Sequence, residues 1–174
     1  MKRTLIVYHS RTGHTRRVAE ALARRLDADL DEIRIVQPLD GVAGYTMCAI
    51  EAVAALAPAL RPMHSRPAAY ELVVIGTPVW FWSLSSPVRS WLERNPLKRR
   101  VAFFCTMGGS GAQRVFATMA GLAGRQPVAT LALLERELGG PFEDRLDAFA
   151  ARLQSRATQR PARRPARSRA LHPA

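Results

Sequence analysis

"TLIVYHSRTGHTRRVAEALARRL", residues 4–26, joins three kinds of sequence in one run. Thr4–Tyr8 is apolar and partly β-branched, the composition of a buried strand. Further on, Val18, Leu22 and Leu26 fall four apart beside Ala19 and Ala23, one apolar stripe of an amphipathic helix whose other faces carry arginine. Between the two lies "HSRTGHT", where Ser10, Thr12 and Thr15 bring hydroxyls, Arg11 a guanidinium and His14 an imidazole. Gly13 permits a positive φ or a close backbone approach that a side chain would block. A strand that breaks into such a loop and then becomes a helix leaves unpaired amides at the helix start, where the dipole favours an anion. The loop therefore predicts a seat for a phosphate, held by charge-assisted bonds worth about 1.5–3 kcal/mol each. The competing reading is an ordinary helix cap, for which Ser and Thr are also favoured.

Working outward, apolar runs recur at Glu32–Val36, Leu72–Gly76, Val101–Cys105 and Val128–Leu134. Helical patterns fit Tyr45–Leu60, Pro87–Arg94, Ala112–Ala123 and Phe142–Gln154. Near-continuous apolar strands alternating with helices imply a parallel sheet covered on both faces, an α/β fold of three layers. Right-handed crossovers narrow it to doubly wound forms, whose ligands sit outside the carboxyl ends of the strands where strand order reverses.

Bulk properties bound the rest. At 174 residues and 48% hydrophobic the chain can bury one sizeable core. The reading is a single domain over residues 1–154 with a tail over 155–174. No apolar run is long enough for a signal peptide or a membrane span, so a soluble, cytoplasmic protein is expected. Cys48 and Cys105 lack metal-type spacing, as do His9, His14, His64 and His172, and no metal site is expected. Half of the net charge of +12 lies in the tail, which holds six arginines and no acid. Rich in Pro, Ala and Arg, that tail predicts disorder; its charge could hold an acidic partner, nucleic acid or a membrane surface, and the favoured reading is a merely solvated tail. A nucleic-acid function rests on the tail alone and is disfavoured, and the oligomeric state is not legible.

Neither G-x-x-x-x-G-K-[ST] nor G-x-G-x-x-G occurs, which disfavours an NTPase or dinucleotide site. Two further loops leave strand ends. "GTPVWFWSLSSPVRSWLE", residues 76–93, places three adjacent aromatics where they cannot all face one core, and a flat aromatic ligand would give one of them a use. "CTMGGSGAQ", residues 105–113, has three glycines that let a backbone approach a ligand. Cys105 beside it reads as a small buried hydrophobe.

These three loops, in order and spacing, resemble the flavodoxin family over roughly residues 1–153. "S-R-T-G-H-T" is similar to the family's phosphate loop, and the loops after the third and fourth strands to those that hold its flavin ring. The resemblance implies a flavodoxin-like sandwich with a five-stranded parallel sheet in the order 2-1-3-4-5, and FMN as cofactor. It assigns Ser10, Arg11, Thr12, Gly13, His14 and Thr15 to the phosphate. Thr77, Pro78, Val79, Trp80 and Phe81, with Thr106, Met107, Gly108, Gly109, Ser110 and Gly111, are assigned to the ring. Such a protein transfers electrons through FMN, as a carrier or as a small NAD(P)H- or quinone-linked reductase, with a redox protein or such a small molecule as partner and no catalytic side chain required. The alternative is a flavodoxin-fold binding or regulatory module without turnover, its Arg-rich tail holding an acidic partner. Two departures stand out: residues 106–113 lack the aromatic that covers the second flavin face, and the core is basic. Tyr45 is a candidate for the cofactor rim or a dimer contact.

Overall fold

The computed structural model describes residues 3–36, 58–140 and 142–158, with side chains to residue 155. The strands are β1 (Thr4–Tyr8), β2 (Asp29–Glu32), β3 (Leu72–Trp80), β4 (Ser83–Leu84), β5 (Arg100–Met107) and β6 (Thr130–Leu134). The helices are α1 (His14–Leu26), α2 (Ser86–Arg94), α3 (Ala112–Ala123) and α4 (Glu143–Thr158), with short 3₁₀ turns at Pro67–Ala69 and Glu135–Gly139. Nearly all of the helix expected over Tyr45–Leu60, with Tyr45 and Cys48, lies outside the described residues, as does the tail from 159 onward.

Five parallel strands run in the order β2-β1-β3-β5-β6, and the two-residue β4 folds back antiparallel on β3. Counting the parallel strands alone, this is the expected 2-1-3-4-5. Alternation along the strands divides the core. Ile6, Tyr8, Val74 and Phe104 face one layer with Leu22 of α1 and Leu146 of α4, while Leu5, Val7, Ile75 and Phe103 face the other with Trp91 of α2 and Met119 of α3. Each fully buried aliphatic or aromatic side chain contributes about 1.5–3 kcal/mol relative to exposure. Strand order reverses between β1 and β3, so the loops leaving these strands open onto a common crevice.

Three elements differ most from expectation, the first being β3, which runs on through Thr77–Trp80 where a loop was expected after Gly76, because the chain pairs with β5 as far as Pro78 and then with β4. The second strand is Asp29–Glu32 rather than Glu32–Val36. At the edge of the sheet among the described residues it can be acidic, because neighbours satisfy its carboxylates: the Tyr70 hydroxyl donates to Asp29 at 2.7 Å and the Ser65 amide to Asp31 at 2.7 Å. The apolar residues beyond it have other uses, Ile33 in the core and Ile35 in an isolated antiparallel bridge to Leu60. The last helix runs past Gln154 to Thr158, continuing through residues that tolerate helix well.

Candidate functional site

Gly13 caps α1 in the left-handed conformation, φ 91°, and no side chain caps the helix. The hydroxyl residues of the loop thus do not stand at the cap position itself. Ser10 lies next to the cap, but its Oγ accepts the Gly13 amide at 3.2 Å and keeps its own proton. The amides at the start of α1 have no intrahelical acceptor, and the space above Gly13 is open. Arg11 and Thr12 are exposed and His14 is half-buried. Thr15 is buried, and its hydroxyl shares a 2.8 Å hydrogen bond with that of Thr106 at the end of β5. Two hydroxyls carry two protons and their mutual bond uses one, so the pair retains one donor while tying the first loop to the third. Arg16 and Arg17 on the basic face of α1 are both engaged. Arg16 meets Glu32 at 2.7 Å, and Arg17 lies 5.1 Å over the Phe142 ring.

Beyond Pro78 the chain makes a hairpin. Val79 pairs with Leu84 and Trp80 with Ser83, leaving Phe81 and Trp82 as the two central turn residues. Their φ values, 47° and 58°, are both positive, as a two-residue hairpin of this twist requires. Thr77 is fully buried, its hydroxyl within 2.9 Å of both the Pro78 carbonyl and the Ser85 hydroxyl, which fixes the hairpin to the start of α2. Trp80 packs edge-on against His9, ring centroids 5.6 Å apart at 87°. Thr77 and Trp80 thus brace the loops.

Val79, Phe81 and Trp82 form one wall of a cleft of about 270 Å³, and Met107, Gly108, Gly109 and Ser110 form the other. Phe81 is 44% exposed and Trp82 60%. The indole N–H of Trp82 donates to Ser110 Oγ at 2.9 Å, joining the walls. Gly111, at φ 112°, lets them approach: a Cβ there would lie 3.0 Å from the Trp82 Cα and 3.2 Å from a Val79 methyl. Trp82 was not singled out in the sequence. The available signal was its place in the turn, since a turn residue cannot share the burial of the strand before it.

Cys105 is fully buried in β5 and burial pushes its thiol up to about 12, so at neutral pH it is a packed hydrophobe. His9 is also buried. Burial lowers its pKa below the usual imidazole value, and this outweighs the opposing effects of the Ile33 carbonyl, 2.9 Å from Nδ1, and of Glu32. A group held neutral in the fold but protonated when unfolded contributes stability that is complete above about pH 6.5 and declines as pH falls below it. Thermal melts should show a falling Tm between pH 7 and 5.5, as this group lowers the unfolding free energy by at most about 1.4 kcal/mol per pH unit. His9→Gln should flatten this slope, and an equally steep slope in that variant would refute the assignment.

The fold and these loops can be set beside known proteins. The flavoprotein of Lactobacillus acidophilus NCFM in complex with FMN is 21% identical, with a TM-score of 0.63 over 80% of this chain and 97% of that one. Oxidised flavodoxin 2 of Bacillus cereus is 18% identical, with a TM-score of 0.60 over 90% and 99%. An NADH:FMN oxidoreductase in its apo form is 13% identical, with a TM-score of 0.59 over 92% of each chain. At these identities the likeness shows the fold. No curated protein sequence gives a significant match. A family model described as flavodoxin matches residues 3–129, well over half of the chain, which therefore belongs to the flavodoxin family.

Proposed function

We propose that the chain binds FMN at this rim of the sheet and acts as a redox protein, either an electron carrier or a small NAD(P)H-dependent reductase. The observation that carries the proposal is the pairing of two unlike sites at adjacent strand ends. One is an uncapped helix start suited to a phosphate, and the other is a slot with aromatic residues on one wall and glycines on the other, suited to a flat ring. The Thr15–Thr106 bond ties the two loops together. A phosphorylated flat molecule meets both demands, and bound FMN supplies one- and two-electron redox chemistry.

The phosphate would be held by the first-turn amides of α1 with the hydroxyls of Ser10, Thr12 and the Thr15–Thr106 pair. Val79, Phe81, Trp82 and Met107 would contact the ring, while residues 108–111 would bring backbone amides close to its polar edge. These residues bind, orient and exclude water, and no proton-transfer side chain is needed. Carrier and reductase share this site. The flavodoxin and the NADH:FMN oxidoreductase above share the fold, so fold likeness favours neither.

Titrating the purified protein with FMN should quench flavin fluorescence stoichiometrically and raise Tm. Unquenched fluorescence with an unmoved Tm at saturating FMN would refute the proposal. Turnover of NADH or NADPH with a quinone by the loaded protein would identify a reductase, whereas a flavin that is reducible but does not turn over would identify a carrier.

A further inference from the structure

The amino-terminal ends of the strands, opposite the cleft, gather cations from parts of the chain far apart in sequence. Thr4, Leu72 and Arg100 lie in register across β1, β3 and β5, so Arg3 and Arg99 stand at the entry of two of these strands. α2 ends at Arg94, and the loop from it to β5 brings Lys98 and Arg99. The turn after α3 adds Arg125, whose Nε donates to the Leu97 carbonyl at 2.9 Å and so seats it beside that loop. On the other face of the sheet the Arg100 guanidinium donates to the Leu153 carbonyl at 3.3 Å, which places Arg152 of α4 at the same end. Arg94, Lys98, Arg99, Arg125 and Arg152 are exposed, and none has a carboxylate partner among the described residues. Of the acids nearby, Glu71 is bonded to Arg3 and Glu93 adjoins Arg94 in α2, so cations are in excess. The strand β5 sets the distance from this face to the cleft: Arg100 opens it and Met107, in the cleft wall, closes it, about 23 Å away at about 3.3 Å per residue.

We propose that this end of the sheet is an electrostatic docking face for an anionic lipid surface, on which the protein rests with its cleft turned away from the lipid. Nucleic-acid phosphates are held at contact, by amides and helix starts as well as by cations. Here α2 and α3 present their carboxyl ends instead, whose carbonyls repel a phosphate at contact. The cations therefore act best at a distance, as they do above a charged plane within a Debye length. The large apolar side chains exposed among the described residues are Leu30, Val36, Phe81 and Trp82, and none of them lies at this end. The contact is thus electrostatic, without insertion into the lipid. A protein exchanging electrons at the cleft would have to dock at the opposite end. Residues 159–174, which follow α4 in the sequence, hold five more arginines and no acid, and their charge adds to the same attraction.

Co-sedimentation of the full chain with vesicles of phosphatidylcholine containing about 30% phosphatidylserine tests the docking face. Wild type should bind these vesicles, leave them as salt rises, and ignore vesicles of phosphatidylcholine alone. Each neutralised cation should weaken binding about fivefold, so Arg94→Gln, Lys98→Gln and Arg99→Gln together should weaken it about a hundredfold. Because the attraction is to charge rather than to guanidinium geometry, Arg94→Lys with Arg99→Lys should bind as wild type does. These positions are exposed, so Tm in both variants should stay close to that of wild type. Failure of wild type to bind the charged vesicles would overturn the proposal, and so would a three-glutamine variant that binds them as well as wild type. Loss of vesicle binding in the lysine variant would do the same, as would tighter binding of wild type to duplex DNA than to the vesicles. None of these outcomes bears on FMN, whose proposed site lies at the other end of the sheet.

Discussion

Gly76→Ala should be among the most destabilising single methyl additions available in this fold. Gly76 lies in β3 opposite Phe104 of β5 and Tyr8 of β1, all on one face of the sheet. Phe104, fully buried, lays its ring over the glycine, so an added Cβ would fall 2.1, 2.5 and 2.7 Å from three ring atoms. Neither the ring nor the backbone can yield cheaply, because the ring is packed on every side and the backbone is held in two parallel ladders. Overpacking of this kind costs about 3 kcal/mol or more, the upper part of its usual range. For a domain of this size that is a fall in Tm of about 6–12 °C. The damage should reach the site, since the Gly76 carbonyl accepts the His9 amide at 3.2 Å and so sets the first loop against the second. FMN affinity should therefore drop together with Tm. Shrinking the obstacle with Phe104→Leu in the same chain should recover part of the loss, giving a coupling of about 1–2 kcal/mol in a double-mutant cycle. Additive single effects, or a Gly76→Ala protein as stable as wild type, would show that the ring is not seated on the glycine.

Residues that face two layers of the core were legible in sequence, and residues that serve an edge or a turn were not. Leu72–Gly76 and Val101–Cys105 lie between helices on both faces, so they are apolar almost without interruption and cannot be mistaken. Ala112–Ala123 is bounded by glycines at positive φ on both sides and matched its expected limits. By contrast β2 is paired on one side only among the described residues, and two of its acids, Asp29 and Asp31, are answered by Tyr70 and Ser65, residues far along the chain that no local pattern connects to it. Phe81 and Trp82 were legible as part of a loop, but the tight hairpin was not, because residues in such turns are normally Gly or Asn. In the site, hydroxyl-bearing residues could be recognised as ligand-seeking by type, but not sorted into those that face outward and those that tie loops together. Thr77 and Thr106 are as polar as Thr12, yet both are buried and bonded within the protein, while Thr12 is exposed.

Replacing Phe81–Trp82 by Asn–Gly should move stability and affinity in opposite directions. Each non-glycine residue held at positive φ in this turn costs about 1–3 kcal/mol, and the new pair adopts the same backbone with little strain. Against this stands the loss of the Trp82–Ser110 bond, about 0.5–1.5 kcal/mol, and of contacts made by side chains that are already 44% and 60% exposed. The balance favours the variant by about 1–3 kcal/mol, an increase in Tm of about 2–12 °C for the apoprotein. The same change strips both aromatic side chains from the wall of the cleft. Stacking contributes about 0.5–1.5 kcal/mol per ring beyond area burial, so FMN should bind about five- to a hundredfold more weakly. A turn that served only to reverse the chain would gain stability and leave FMN binding unchanged. A hairpin whose aromatics were simply good packing would lose stability. Only backbone strain retained for the sake of the ring site predicts a more stable protein that holds its cofactor less well, and a melt with a flavin titration on one variant separates the three.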